Sequence, residues 1–253
     1  MNIDLNRIAT SLILILGVTC GAQAAELKVL SGNGAKAAVT ELAAQFERNT
    51  GHKVTVHFEV NPGVKKRIED GEAFDVAILN PPFLDEQIQS GKVIASTRTV
   101  LGRAGIGAAI REGTPKLDIS TVEGFKSAML NSKSVAYPGE GSSGRYFVSV
   151  VERMGLTKDM ANKMRPMPAE YNVEVVASGE VDMVVVVASR IQDVKGVQPL
   201  GLIPKELQTW IGFTAGLSSK AKEAEVARAF LQFMTTPAAE KILRDKGVEP
   251  FVL

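Results

Sequence analysis

The chain has 253 residues, 45% hydrophobic and 23% charged, and its 29 Lys and Arg balance 28 Asp and Glu. That size holds one large domain or two small ones, and the apolar share is enough for a packed core, which excludes a disordered chain. A net charge of +1 and an aromatic content of 6% exclude nucleic acid as a partner drawn by a global field or a stacking platform, leaving only local positive patches for any anion.

The N-terminus reads as an export signal. Residues 1–7 end in Arg7, residues 8–19 are apolar, and Ala22-Gln23-Ala24 forms an A-x-A site, so residues 1–24 are a cleaved signal peptide. The apolar run is too short to span a membrane. Gly17 and Thr19 before the single Cys20 do not make a lipid-attachment site. From Ala25 onward the chain has no Cys, so neither a disulfide framework nor a thiolate metal site is expected. His52 and His57 stand five apart without a carboxylate cluster, and no metal or other cofactor is expected.

Strand and helix patterns then alternate. A strand over 26–31 leads through Gly32-Asn33-Gly34 into a helix over 35–50, with Val39, Leu42, Ala43 and Phe46 on one face and Gly51 as its stop. A strand over 53–60 is followed by Asn61-Pro62-Gly63, opening a helix whose Lys65, Lys66 and Arg67 form a solvated face, and by a buried strand over 74–79. A second unit begins after Gly102, with a strand over 106–110, a helix over 120–131 capped by Ser120, and a strand over 134–137. The glycine-rich run 139–144 opens a helix carrying Phe147, Val150, Val151 and Met154 on one face. A short helix over 171–178, strands over 182–187 and 210–217, a helix over 220–234 with Val226, Phe230 and Phe233 inward, and a helix from Pro237 complete the chain. Such alternation implies α/β architecture with largely parallel sheets and helical crossovers. Two similar units without a flexible linker imply two lobes between which the chain crosses more than once.

In such sheets ligands sit beyond the carboxyl ends of strands, where helix N-termini favour an anion. Four loops qualify: 31–35, 60–64, 80–83 and 139–145. The candidate contacts are Ser31, Asn33, Gly34, Lys36, Asn61, Asn80, Ser142, Ser143, Arg145 and Asn172. Arg145 stands out, because a cation at a helix start opposes the macrodipole and its fork suits a carboxylate. The run from Gly32 to Ala37 also fits G-x-G-x-x-A, but the distance from Gly34 to Glu59 exceeds the usual spacing of about 20, against a dinucleotide site.

The run from Leu30 to Phe46, RIEDGEAFDVAIL (67–79), VEVVASGEVDMVVV (173–186) and VARAFLQFMTTPAAEKILRDKGVEP (226–250) resemble type II periplasmic solute-binding proteins, above all the molybdate-binding components of ABC importers. The resemblance implies two α/β lobes with the ligand cleft between them: 25–104 plus 212–253, and 105–211. It also implies a monomeric periplasmic receptor for a small anion, with an inner-membrane ABC permease as partner. The hydroxyl donors of molybdate binders fall here at Gly34, at Asn61 or Pro62, and at Val186, which points to an organic carboxylate instead. Some members of the family look like periplasmic aconitate isomerases. On that alternative Arg145 and Lys36 are cations for the substrate, and Glu140, His57 or Tyr146 is the base; on the receptor reading no residue is catalytic.

Overall fold

A computed structural model describes residues 24–168 and 173–250. All of the expected signal peptide except Ala24 lies outside the described residues, as does Asn172. The first half runs β1 (Glu26–Gly32), a single 3-10 turn (Asn33–Ala35), α1 (Lys36–Thr50), β2 (Lys53–Glu59), α2 (Asn61–Glu69), β3 (Val76–Leu79) and α3 (Pro81–Gln89). Strand β4 (Thr99–Arg111) follows, and then α4 (Val122–Asn131), β5 (Val135–Pro138), α5 (Ser142–Arg153), α6 (Thr157–Met160) and β6 (Met164–Met167). The chain ends with α7 (Glu174–Ala177), β7 (Met183–Val187), β8 (Val197–Leu202), β9 (Trp210–Leu217), α8 (Ala224–Phe233) and α9 (Pro237–Asp245).

Strands β2, β1 and β3 pair in parallel, as do β6, β5 and β7. Two antiparallel strands join these groups, in the order β2-β1-β3-β9-β4-β7-β5-β6, with β8 also on β4. Strand β4 pairs with β9 over Thr99–Gly105 and with β7 and β8 from Ile106 onward. The expected second unit after Gly102 therefore begins inside one strand of 13 residues. Gly102 sits where the β4–β9 register shifts, and the glycine reads as a break only in sequence.

Apolar faces explain most elements. Val39, Leu42, Ala43 and Phe46 of α1 are buried against β1 and against Phe230 of α8, with the Phe46 and Phe230 rings 5.0 Å apart. The same core includes Val184, Val186 and Val187 of β7, so it ties the two halves together. Phe125, Met129 and Phe147 fill a second core under α4 and α5. Each of these fully buried side chains stabilises the fold by about 1.5–3 kcal/mol.

Three elements depart from expectation. Helix α3 replaces the loop expected at 80–83: Pro81 takes its first turn, and only Leu84 and Gln87 are buried, too weak a stripe to read. Strands β6 and β8 carry Pro166 and Pro199, which fit only at sheet margins, and their sequences lack strand alternation. Thr121, not Ser120, caps α4, its hydroxyl accepting from Gly124 N at 3.0 Å.

A buried carboxylate fastens the start of α8 to this sheet. Asp75 accepts from the backbone N–H of Lys28 (2.8 Å), Lys222 (2.8 Å) and Glu223 (3.3 Å). Asp75→Ala leaves these donors without their acceptor and is expected to cost about 2–4 kcal/mol in chemical denaturation. An unchanged denaturation midpoint would contradict that role.

Candidate functional site

The carboxyl ends of the parallel strands from both halves open into one pocket. The turn after β1 supplies Asn33 and Gly34, the starts of α2 and α3 supply Asn61 and Asn80, and the start of α5 supplies Ser142 and Ser143. Strand β9 adds Ile211 and Phe213, and the end of β7 adds Val186, Val187 and Arg190. Three N-termini, those of the turn after β1, of α2 and of α5, thus bring backbone N–H groups to one volume, which is a setting for negative charge. Helix α3 adds none, because Pro81 and Pro82 have no N–H and that of Phe83 donates to the Asn80 carbonyl.

Asn80 is the polar joint of this pocket. Its backbone N–H donates to Asn61 Oδ1 (2.9 Å), and its own Oδ1 accepts from Asn61 Nδ2 (2.8 Å) and, across the cleft, from Ser142 Oγ (3.2 Å). Its Nδ2 donates to the carbonyl of Gly212 on β9 (2.7 Å). A second bridge between the halves runs from Ser189 Oγ to the carbonyl of Gly34 at 2.6 Å. The cleft is therefore closed by hydrogen bonds that use only protein atoms.

Two polar side chains remain unused. Asn33 is 7% exposed and Ser143 5% exposed; both line the pocket, and neither side chain has a hydrogen-bond partner among the described residues. Beside them Arg190, 9% exposed, lies with Nη2 4.0 Å from Glu174 Oε1. Buried polar groups normally find partners, so amide and hydroxyl groups held this way suit a ligand.

Six of the expected contacts are thus brought together: Asn33, Gly34, Asn61, Asn80, Ser142 and Ser143. The others are not. Ser31 is fully buried in β1 and its hydroxyl donates to the Gly32 carbonyl at 3.2 Å. Lys36 is exposed, its Nζ 5.9 Å from the Phe58 ring centre, and lines a separate pocket with Glu174, Ser189 and Arg190. Arg145 is exposed, and its Nη1 donates to the carbonyl of Glu140 at 2.8 Å, so its own loop and solvent satisfy the cation that opposes the dipole.

The three bases considered lie outside the pocket as well. His57 is exposed on β2, 3.4 Å from Glu59 Oε2. Glu140 is exposed at a separate rim with Glu59 and Met167. The Tyr146 hydroxyl lies between the carbonyls of Leu207 (2.9 Å) and Gln208 (3.1 Å) and accepts from Arg153 Nη2 (2.9 Å), fastening α5 to the turn before β9. Sequence reasoning missed Arg190 and Phe213. Arg190 follows Val187 in the 3-10 turn Ala188–Arg190, so the strand-end rule that found the other loops would have found it too.

Residues 27–249 match the family of bacterial extracellular solute-binding proteins. The chain belongs to that family. It is 34% identical over 230 residues to an aconitate isomerase from Pseudomonas sp., covering 88% of this chain and 87% of that one. It is 26% identical over 258 residues to the molybdate-binding protein ModA of Azotobacter vinelandii, covering 98% of each. The solved periplasmic molybdate-binding protein of Azotobacter vinelandii superposes with a TM-score of 0.76 at 19% identity, over 90% of this chain and 99% of that one. The architecture is that of a two-lobe periplasmic binding protein with the cleft between its halves.

At the entry to α2 the Glu59 carboxylate packs against Gly63, where any side chain would collide with it. Arg67, donating from Nε to Glu59 Oε2 at 2.6 Å, is the main reason its carboxyl titrates below the usual range, with His57 adding to the effect. A lowered folded pKa stabilises the fold above the unfolded value, about 4.3, and the stabilisation is lost as pH falls through that value to the lower folded one. Wild type is therefore expected to exceed Glu59→Gln in melting temperature at pH 7, with the gap closing as pH falls below about 4. A gap that stays constant across this range would contradict the pairing.

Proposed function

We propose that this chain is a receptor that captures a small organic carboxylate in the cleft. On this reading it is exported to the periplasm after loss of residues 1–24 and works as a monomer that hands its ligand to an inner-membrane ABC permease. Residues 25–104 and 212–253 form one lobe, and 105–211 the other. The observation that carries the reading is the unused pair Asn33 and Ser143, from opposite halves, beside the buried guanidinium of Arg190. A guanidinium fork offers two parallel donors to a carboxylate, and the helix N-termini add partial positive charge.

A second reading is catalysis, and it is favoured by the relative named aconitate isomerase. There the same donors would hold the carboxylates of a tricarboxylate. A base would take a proton from the methylene carbon, the electron pair would shift across the double bond, and a proton would return at the far carbon. The groups described around the pocket are amide, hydroxyl, guanidinium and hydrocarbon, which serve binding, so the receptor stands first.

Calorimetry on the wild type against di- and tricarboxylates tests binding directly. Arg190→Gln is expected to cost about 1.5–3 kcal/mol, or about one to two decades of affinity, with Arg190→Lys recovering part of it. Arg145→Ala is expected to leave affinity unchanged. A loss with Arg145→Ala and none with Arg190→Gln would reverse the assignment. Proton NMR of aconitate incubated with the protein in D2O separates the two readings: an unchanged spectrum is expected of a receptor, and deuterium incorporation with isomer exchange would establish turnover.

A further inference from the structure

The pocket lining mixes polar and apolar groups. Alongside Asn33, Asn61, Asn80, Ser142, Ser143 and Arg190 it carries hydrocarbon from Val60, Pro138, Val186, Val187, Ile211 and Phe213. Phe213 is the largest of these and is 3% exposed. It stands on β9, where it pairs with Gly102 of β4, one residue before the β3 ladder begins at Thr214.

Its ring position is fixed by Gly34. A Cβ on Gly34 would lie 2.8 Å from Phe213 Cε1, 3.2 Å from Cζ and 3.6 Å from Val187 Cγ1. The turn after β1 therefore meets the ring with bare backbone, and the ring occupies the space that any side chain at position 34 would take. Ser189 holds the turn there by donating to the Gly34 carbonyl at 2.6 Å. Ring, glycine and Val187 interlock where the two halves meet β9.

This wall decides what kind of anion fits. A tetrahedral inorganic oxyanion carries oxygen in every direction, so at least one oxygen would face hydrocarbon without a donor, which is costly in a closed site. An organic acid concentrates its charge at carboxylates and offers carbon–hydrogen surface elsewhere, matching a lining that is part polar and part hydrocarbon. Resting on the reading that the cleft binds an anion, we propose that Phe213, seated on Gly34, is a specificity-determining residue that selects an organic acid with a carbon skeleton over sulfate or molybdate.

The test is calorimetry with aconitate, sulfate and molybdate on wild type, Phe213→Ala, Phe213→Leu, Gly34→Ala and the double variant Gly34→Ala/Phe213→Ala, with melting temperatures as the check on folding. Wild type is expected to prefer aconitate. Phe213→Ala is expected to narrow the preference over sulfate and molybdate by at least about tenfold, and Phe213→Leu to retain most of it, since it keeps an apolar side chain on Gly34. Gly34→Ala is expected to weaken aconitate binding in the wild type and to have little further effect once the ring is gone, a non-additivity that a merely structural role for either residue would not produce. Equal loss of all three ligands in Phe213→Ala, or additive effects at the two positions, would overturn the role of Phe213 while leaving the binding reading intact. Tighter binding of sulfate or molybdate than of aconitate by the wild type would overturn it as well. No binding of any carboxylate by a folded wild type would remove the binding reading and this inference together.

Discussion

The pairing of β4 with β9 is the constraint on which the rest of the molecule depends. Both strands are antiparallel to their neighbours, and together they stitch a parallel group from each half into one sheet order. Because the crossing strands lie between the groups, the carboxyl ends of β1, β2, β3, β5 and β7 all open toward the same volume. A parallel sheet needs helical crossovers, and each crossover starts with unpaired N–H groups at that end. The anion-favouring character of the cleft is thus a consequence of topology before any side chain is chosen.

Side chains then divide the labour. Asn80 and Asn61 spend their hydrogen-bonding capacity on each other, on Gly212 and on Ser142, holding the helix starts and the crossing strand in place. Asn33 and Ser143 spend none of theirs among the described residues. A hydrogen bond to a charged ligand group is worth about 1.5–3 kcal/mol, so two such donors and one guanidinium can supply most of a micromolar affinity, about −8.2 kcal/mol, once the cleft is closed around its ligand. The hydrocarbon of Phe213 and its neighbours shapes the remainder of the site.

Much of this was legible in the sequence. The alternation of apolar strands with amphipathic helices gave the α/β class, and glycine-rich strand ends located Asn33, Asn61 and Ser142. What stayed hidden did so for definite reasons. Helix α3 has a narrow buried stripe, and β6 and β8 are short, proline-bearing margin strands whose existence depends on neighbours far away in the chain. Arg145 was conspicuous because its local helix disfavours it, yet a carbonyl of its own loop resolves that conflict. Arg190 lies just past the end of β7, where the strand-end rule reaches it; what the sequence does not show is its burial, which comes from the packing of its turn against β4, α1 and the turn after β1. Local electrostatic conflict proved a weaker guide to the site than position at the end of a parallel strand.

The most direct measurement is a crystal structure of the chain grown with a tricarboxylate. The account expects one carboxylate between the two halves, within hydrogen-bonding distance of Asn33 and Ser143 and paired with Arg190, and its carbon skeleton against Phe213. Ligand bound instead at Arg145 or at Lys36, with Asn33 and Ser143 still unpartnered, would contradict it.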